Sequence, residues 1–157
     1  MISELSQSEA DALINLEKKR IDTKIYNFPS PGETTRIPVV SLDGSTEFLI
    51  KVYHSIIKRQ KVQTAELYEK STPLVRMCVG GKPHTNPSEP APLTMFSGLE
   101  GKDLGENHLH YYAENWGTVW GIPVNISQKL LYPLTGLVYH FMDVCNVVDK
   151  PALGGGL

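Results

Sequence analysis

Phe48-Leu-Ile-Lys-Val-Tyr-His-Ser-Ile-Ile-Lys-Arg59 is the stretch that decides the fold. Phe48, Ile50, Val52, His54 and Ile56 take every second position, while Lys51, Tyr53, Ser55 and Arg59 fall mostly between them. An extended chain sends successive side chains to opposite faces, so this period of two marks a strand with one buried face. Upstream, Arg36 to Val40 reads as a shorter strand joined to it through a tight turn at Leu42-Asp-Gly44-Ser. Downstream, Val62 to Tyr68 reads as the return strand, although Ala65-Glu-Leu67 would also suit a helical turn. Leu74 to Val79 is a further strand ending at Gly80-Gly81. His108 to Tyr112 and Thr118 to Ile122 then form a hairpin around Glu114-Asn-Trp-Gly117. Strands joined this way give an antiparallel sheet rather than the βαβ alternation of a nucleotide-binding α/β domain.

Two helices bracket the strands. Ser6 and Glu9 form a capping box, in which hydroxyl and carboxylate reciprocally satisfy backbone donors left open at a helix start. Ala10, Leu13, Ile14 and Ile21 recur at helical spacing, and Lys18, Lys19 and Arg20 complement the negative end of the dipole. The first helix is therefore placed at Gln7 to Arg20. Pro133 opens the second, where Leu134, Leu137, Val138, Phe141, Met142, Cys145 and Val148 form a stripe wide enough to be core. Phe28-Pro-Ser-Pro31-Gly-Glu33 marks a turn. Pro87 to Gly105 is a long Pro/Gly-rich loop, and Leu93-Thr-Met-Phe96 gives it the apolar anchoring of a flap. The expectation is one α+β domain over residues 1–151. It has an antiparallel sheet of five or six strands packed with an N-terminal and a C-terminal helix, and residues 152–157 form a flexible tail.

Composition narrows the classes. A chain of 157 residues, 41% hydrophobic and 20% charged, buries an ordinary core without staples. The net charge of -2 gives no global electrostatic case for coating nucleic acid or an anionic membrane. Cys78 and Cys145 lie in apolar runs and read as buried free thiols. Met1-Ile-Ser-Glu-Leu-Ser lacks the basic and apolar regions of a signal peptide, and no run is apolar for long enough to span a bilayer. A cytoplasmic protein without membrane association is expected.

Three of the five histidines cluster in Gly80-Gly-Lys-Pro-His84-Thr-Asn-Pro87 and Asn107-His108-Leu-His110-Tyr-Tyr112. Strand alternation puts His108, His110 and Tyr112 on one face and Leu109 and Tyr111 on the other. The plainest account is a histidine face turned to solvent. Two chemical accounts compete with it. A pair of imidazoles titrating near neutrality can hold one proton donor and one acceptor, as metal-free cleavage of RNA by its own 2′-hydroxyl requires. His-x-His plus a third histidine can also supply three nitrogens to zinc, although no carboxylate stands at a recognisable spacing. Gly-Gly, Lys-Pro and Asn-Pro stiffen the backbone that carries His84. The segment from Lys51 to Lys70 is locally basic, and Tyr53 and Tyr68 offer stacking surfaces for a nucleic acid. A lysine-decorated edge strand has the same sequence signature and is the preferred reading of that segment. Trp116 and Trp120 read as core or rim aromatics.

The chain as a whole resembles a family of small, functionally uncharacterised bacterial proteins, many encoded in prophages and other mobile elements. The resemblance spans roughly residues 5 to 148. It is carried by Glu9-Ala-Asp-Ala-Leu, Phe28-Pro-Ser-Pro-Gly-Glu33, Leu42-Asp-Gly44, Gly81-Lys-Pro-His84-Thr-Asn-Pro87, His108-Leu-His110-Tyr, Trp120-Gly-Ile-Pro123 and Cys145-Asn146. It departs from that pattern at Thr64-Ala-Glu-Leu-Tyr-Glu69, where relatives are rich in Arg and Tyr, and in the long Pro87–Gly105 insertion.

The leading expectation is a ribonuclease-like, toxin-like protein with His84, His108 and His110 as acid–base groups. Lys58, Arg59, Lys61, Arg76 and Lys82 are its substrate-binding cations, and no metal or cofactor is assigned. The alternative is an anti-CRISPR-like inhibitor that binds a host defence protein without catalysis, and a third reading is a plain zinc-binding structural domain. Partners are accordingly RNA or a host defence protein, with a homo-oligomer also in view.

Overall fold

The computed structural model describes residues 4–58, 60–127, 131 and 133–156. In chain order they form α1 (Gln7–Asn15), β1 (Lys18–Arg20), β2 (Ile25–Asn27), β3 (Thr34–Ser41), β4 (Glu47–His54), β5 (Val62–Tyr68), β6 (Thr72–Val79), β7 (His108–Tyr111), β8 (Gly121–Pro123), α2 (Thr135–Val144), β9 (Val147–Asp149) and β10 (Ala152–Gly154). The main sheet runs β8-β7-β6-β5-β4-β3-β1-β9, and β10 pairs with β2 in a second, two-stranded sheet. The class is α+β, with a mostly antiparallel sheet and two helices. Its eight strands exceed the expected five or six because β1 and β9, each only three residues long, extend one edge. Strands that short carry no periodic signal. No helix among the described residues is long and apolar enough to cross a membrane.

The capping box forms as read. Ser6 Oγ accepts from the Glu9 N–H at 3.2 Å, and Glu9 Oε1 accepts from the Ser6 N–H at 3.1 Å. The helix nevertheless stops at Asn15 rather than Arg20, because Lys18–Arg20 is recruited into the sheet against β3 and β9. Lys18 is wholly buried there. Its ammonium donates to Ile14 O at 3.0 Å and Cys145 O at 2.7 Å, and it lies 3.2 Å from Glu66 Oε2. One cation thus ties the C-terminal ends of both helices to the central strand β5.

The face of Ile37, Val39, Phe48, Ile50, Val52, Val62, Met77 and Leu109 joins α1 and α2 in one continuous core. β4 and β5 are interior strands, flanked on both sides, so the edge-strand account of Lys51 to Lys70 is corrected. Val62–Tyr68 is strand throughout, the helical alternative being overridden by pairing with both neighbours. Residues 152–154, expected in a tail, form β10 parallel to β2, and Gly156 O accepts from the Leu134 N–H at 2.6 Å. Backbone pairing orders a stretch whose side chains give no hint of it. The second helix ends at Val144, and Val148 lies exposed in β9.

Candidate functional site

Pairing of β6 with β7 sets the site. Its register places Arg76 opposite His110 and Cys78 opposite His108, so these four side chains share the face of the sheet away from the helices. Leu109, between the histidines, enters the core. The shared face holds for His108 and His110 but not for Tyr112, which lies past the end of β7 in the main core and donates its hydroxyl to Leu5 O at 2.8 Å. Nor does that face meet solvent: His110 is 0% exposed and His108 4%. The covering is the 84–105 segment, which folds back on itself. His84 N–H donates to Gly105 O at 3.3 Å, and Leu104 N–H to His84 O at 2.7 Å. Phe96 of this flap packs on Trp120 with ring centroids 5.7 Å apart, forming a small second core with Ala113.

Asn86 pins the flap to β8. Its Nδ2 donates to Gly121 O at 2.9 Å and Leu99 O at 3.2 Å, and its Oδ1 accepts from the Gly121 N–H at 2.9 Å. A Cβ at Gly121 would sit 3.1 Å from two atoms of the His110 ring, so any larger residue there would press that ring out of place by a few tenths of an ångström. At the other end Asn107 Oδ1 accepts from the Gly80 N–H at 2.9 Å. Gly80 has φ +70 and a Cβ there would meet Gln60 O at 2.5 Å, a position only glycine takes. Replacing Asn86 by alanine leaves both Gly121 backbone groups without their side-chain partner. The expected cost is about 2–4 kcal/mol, read as a lowered urea midpoint with faster amide exchange over 84–105.

Within the cluster, His108 Nδ1 and His110 Nε2 are 2.7 Å apart. The outer nitrogens each face a carbonyl: His110 Nδ1 lies 3.2 Å from Val119 O, and His108 Nε2 lies 3.4 Å from Lys82 O. The His84 ring reaches both, with centroids 4.6 Å from His110 and 5.4 Å from His108. Its Nε2 is buried and has no hydrogen-bond partner among the described residues. Cys78 is a buried free thiol, and its sulfur and one nitrogen each of His108 and His110 lie within 4.8 Å of one another.

Burial sets the electrostatics. It pushes His110 down to about 3, assisted by the Arg76 charge, and it lowers His108 as well. The Cys78 thiol is raised by the same desolvation. Desolvation thus favours the uncharged form of both strand histidines. Three contacts (Val119 O, the shared N···N and Lys82 O) call for three protons, and two neutral imidazoles carry two.

The expected cations divide. Arg76 borders the cluster, one Nη donating to Thr118 O at 3.1 Å, while its buried Nε has no acceptor among the described residues. Lys82 contributes its carbonyl, and its side chain is exposed. Lys61 lies half-buried beside Gly81. Lys58 is exposed and pairs with Glu106 at 3.5 Å. Arg59 lies outside the described residues. Cys78 and Asn86 are the participants that sequence reasoning passed over. Both strands carrying the cluster are readable, but their mutual register is not.

A protein-family model described as a family of unknown function matches residues 5–147. No curated protein and no solved structure matches the chain.

Proposed function

The chain belongs to this family, DUF6978, and from the geometry of its buried cluster we propose that it binds a zinc-class metal ion. Cys78, His108 and His110 are the ligands, and His84, whose ring centroid lies 4.6 Å from that of His110 and 5.4 Å from that of His108, would supply the fourth by a shift of its ring. The observation that carries this reading is the convergence of the Cys78 sulfur with one nitrogen each of His108 and His110, all within 4.8 Å of one another. A cation in place of the shared proton lets His108 Nδ1 and His110 Nε2 both act as ligands. Each ring then donates its other N–H to a backbone carbonyl, the usual orienting arrangement of metal-bound histidine. Thiolate with imidazole suits zinc, and a fourth nitrogen from His84 would close the set as a structural ion requires. Tetrahedral coordination at 2.0–2.1 Å would open the N···N separation to about 3.3 Å. Here the ion would lock the flap onto β6 and β7.

Elemental analysis of protein purified from zinc-supplemented medium tests this directly. One equivalent of zinc is expected, together with a thermal midpoint that falls on chelation and returns on re-addition. Metal-free protein whose midpoint ignores both chelator and added zinc would refute the site.

The ribonuclease-like reading uses the same three histidines differently, and its supporting observation is the convergence of His84 on the other two. Proton transfer to a substrate requires contact, and His110 reaches no solvent in the closed arrangement. Chelator-resistant RNA cleavage, lost in His108→Ala and His110→Ala, would replace the metal reading with this one. The inhibitor reading stands on the flap as a shaped surface. Capture of a host defence protein that survives replacement of all three histidines would support it.

A further inference from the structure

The sheet face that carries the cluster continues, uncovered, across β3, β4 and β5. One lateral row runs Arg36, Lys51, Ala65, Arg76 and His110, each opposite the next in strand register. Arg36 and Lys51 are directly opposed like charges, an arrangement that destabilises a sheet unless something negative lies over it. None of Arg36, Lys51 and Arg76 has an ion-pair partner among the described residues. The rows on either side hold no acid over β3 to β5. One is Thr34, Tyr53 and Gln63, and the other is Pro38, Leu49 and Leu67. Between Lys51 and Arg76 the small Ala65 leaves a depression of about 360 Å³ walled by Tyr53, Gln63, Leu67 and Pro73.

We propose that this face binds single-stranded nucleic acid, with Arg36, Lys51 and Arg76 on successive phosphates and Tyr53 stacking on a base. The three cations span three strand spacings, about 14 Å at 4.7–4.9 Å each, which matches an extended backbone rather than one compact anion. A flat antiparallel face combining cations with an aromatic and an apolar strip is how open sheets hold unpaired bases. The overall charge of -2 does not oppose this, because the cations are segregated onto one face. The inference does not require the metal ion: Arg36, Lys51 and Tyr53 lie on β3 and β4, away from the strands that carry the ligands.

Fluorescence anisotropy tests it with a labelled oligouridylate of about twelve nucleotides, the oligothymidylate of equal length and a polyglutamate peptide. Either nucleic acid strand should bind, with a log–log salt slope of about -2 for three phosphate contacts. The ratio of the two arms assigns RNA or DNA as the preferred source. Arg36→Gln with Lys51→Gln should weaken binding by more than about tenfold, and Tyr53→Ala by about tenfold. Circular dichroism and a thermal midpoint no lower than that of the wild type verify the fold of each variant. No binding of either strand at low salt, equal affinity in the folded double variant, or tighter binding of polyglutamate would each overturn the proposal.

Discussion

Replacing Cys78 by serine is expected to lower zinc affinity by at least about 100-fold. Altering a group that merely orients a ligand already costs 10–100-fold, and Cys78 is the one soft, charge-bearing donor in the set. Serine keeps the size of the side chain at a buried position facing His108, so the sheet register has no steric reason to change. The metal-free variant and the metal-free wild type should therefore unfold at similar temperatures. Only the wild type should gain stability with zinc, by about 2.7 kcal/mol when free zinc reaches 100 times its Kd. Calorimetric titration of both proteins with zinc checks this. Equal affinity in the two would remove Cys78 from the site.

Above about pH 7, where Glu66 is ionised, Lys18→Met is expected to destabilise the fold by about 3–5 kcal/mol, since it leaves the Glu66 carboxylate buried without its cation. Lys18 and Glu66 are both 0% exposed and 3.2 Å apart. The lysine also serves Ile14 O and Cys145 O, which would lose their donor, and its ammonium lies 4.7 Å from the centre of the Phe48 ring. Lys18→Met with Glu66→Leu should recover most of the loss, because an apolar pair needs no mutual compensation. Urea denaturation of the three proteins reads the result, and a single variant no weaker than the double one would reject the account.

Burial outweighs the Lys18 charge at Glu66 and raises the carboxyl from 4.5 to about 7. Between these values the folded state holds more protons than the unfolded one. The contribution of Glu66 is therefore full below about 4.5 and is lost as pH rises through about 7. Urea midpoints of wild type minus those of Glu66→Gln should fall across that window, by up to roughly 3 kcal/mol. A flat difference would mean that Glu66 is ionised throughout.

Elements long enough to show a period were legible before any coordinate. β4 alternates over eight residues, and α1 announces its start through Ser6 and Glu9. The common face of His108 and His110 followed from the same alternation. The missing pieces depend on partners distant in sequence. Lys18 looks like a helix-end cation until β1 is pulled between β3 and β9. Cys78 looks like a core thiol until β6 meets β7 in one particular register. A slip of one residue would turn Cys78 and Arg76 away from the histidines, and nothing local in either strand specifies it.

By itself, then, the sequence determined the class of fold, the helix start, the main strands and which histidines share a face. These rest on local periodicity and capping, which act within a few residues. Tertiary structure alone decided that the histidine face is buried under the 84–105 flap, that Cys78 joins it, and that Arg36, Lys51 and Arg76 line up beside it. Those are outcomes of strand order and register, set by which whole-sheet arrangement buries the apolar face against both helices at once.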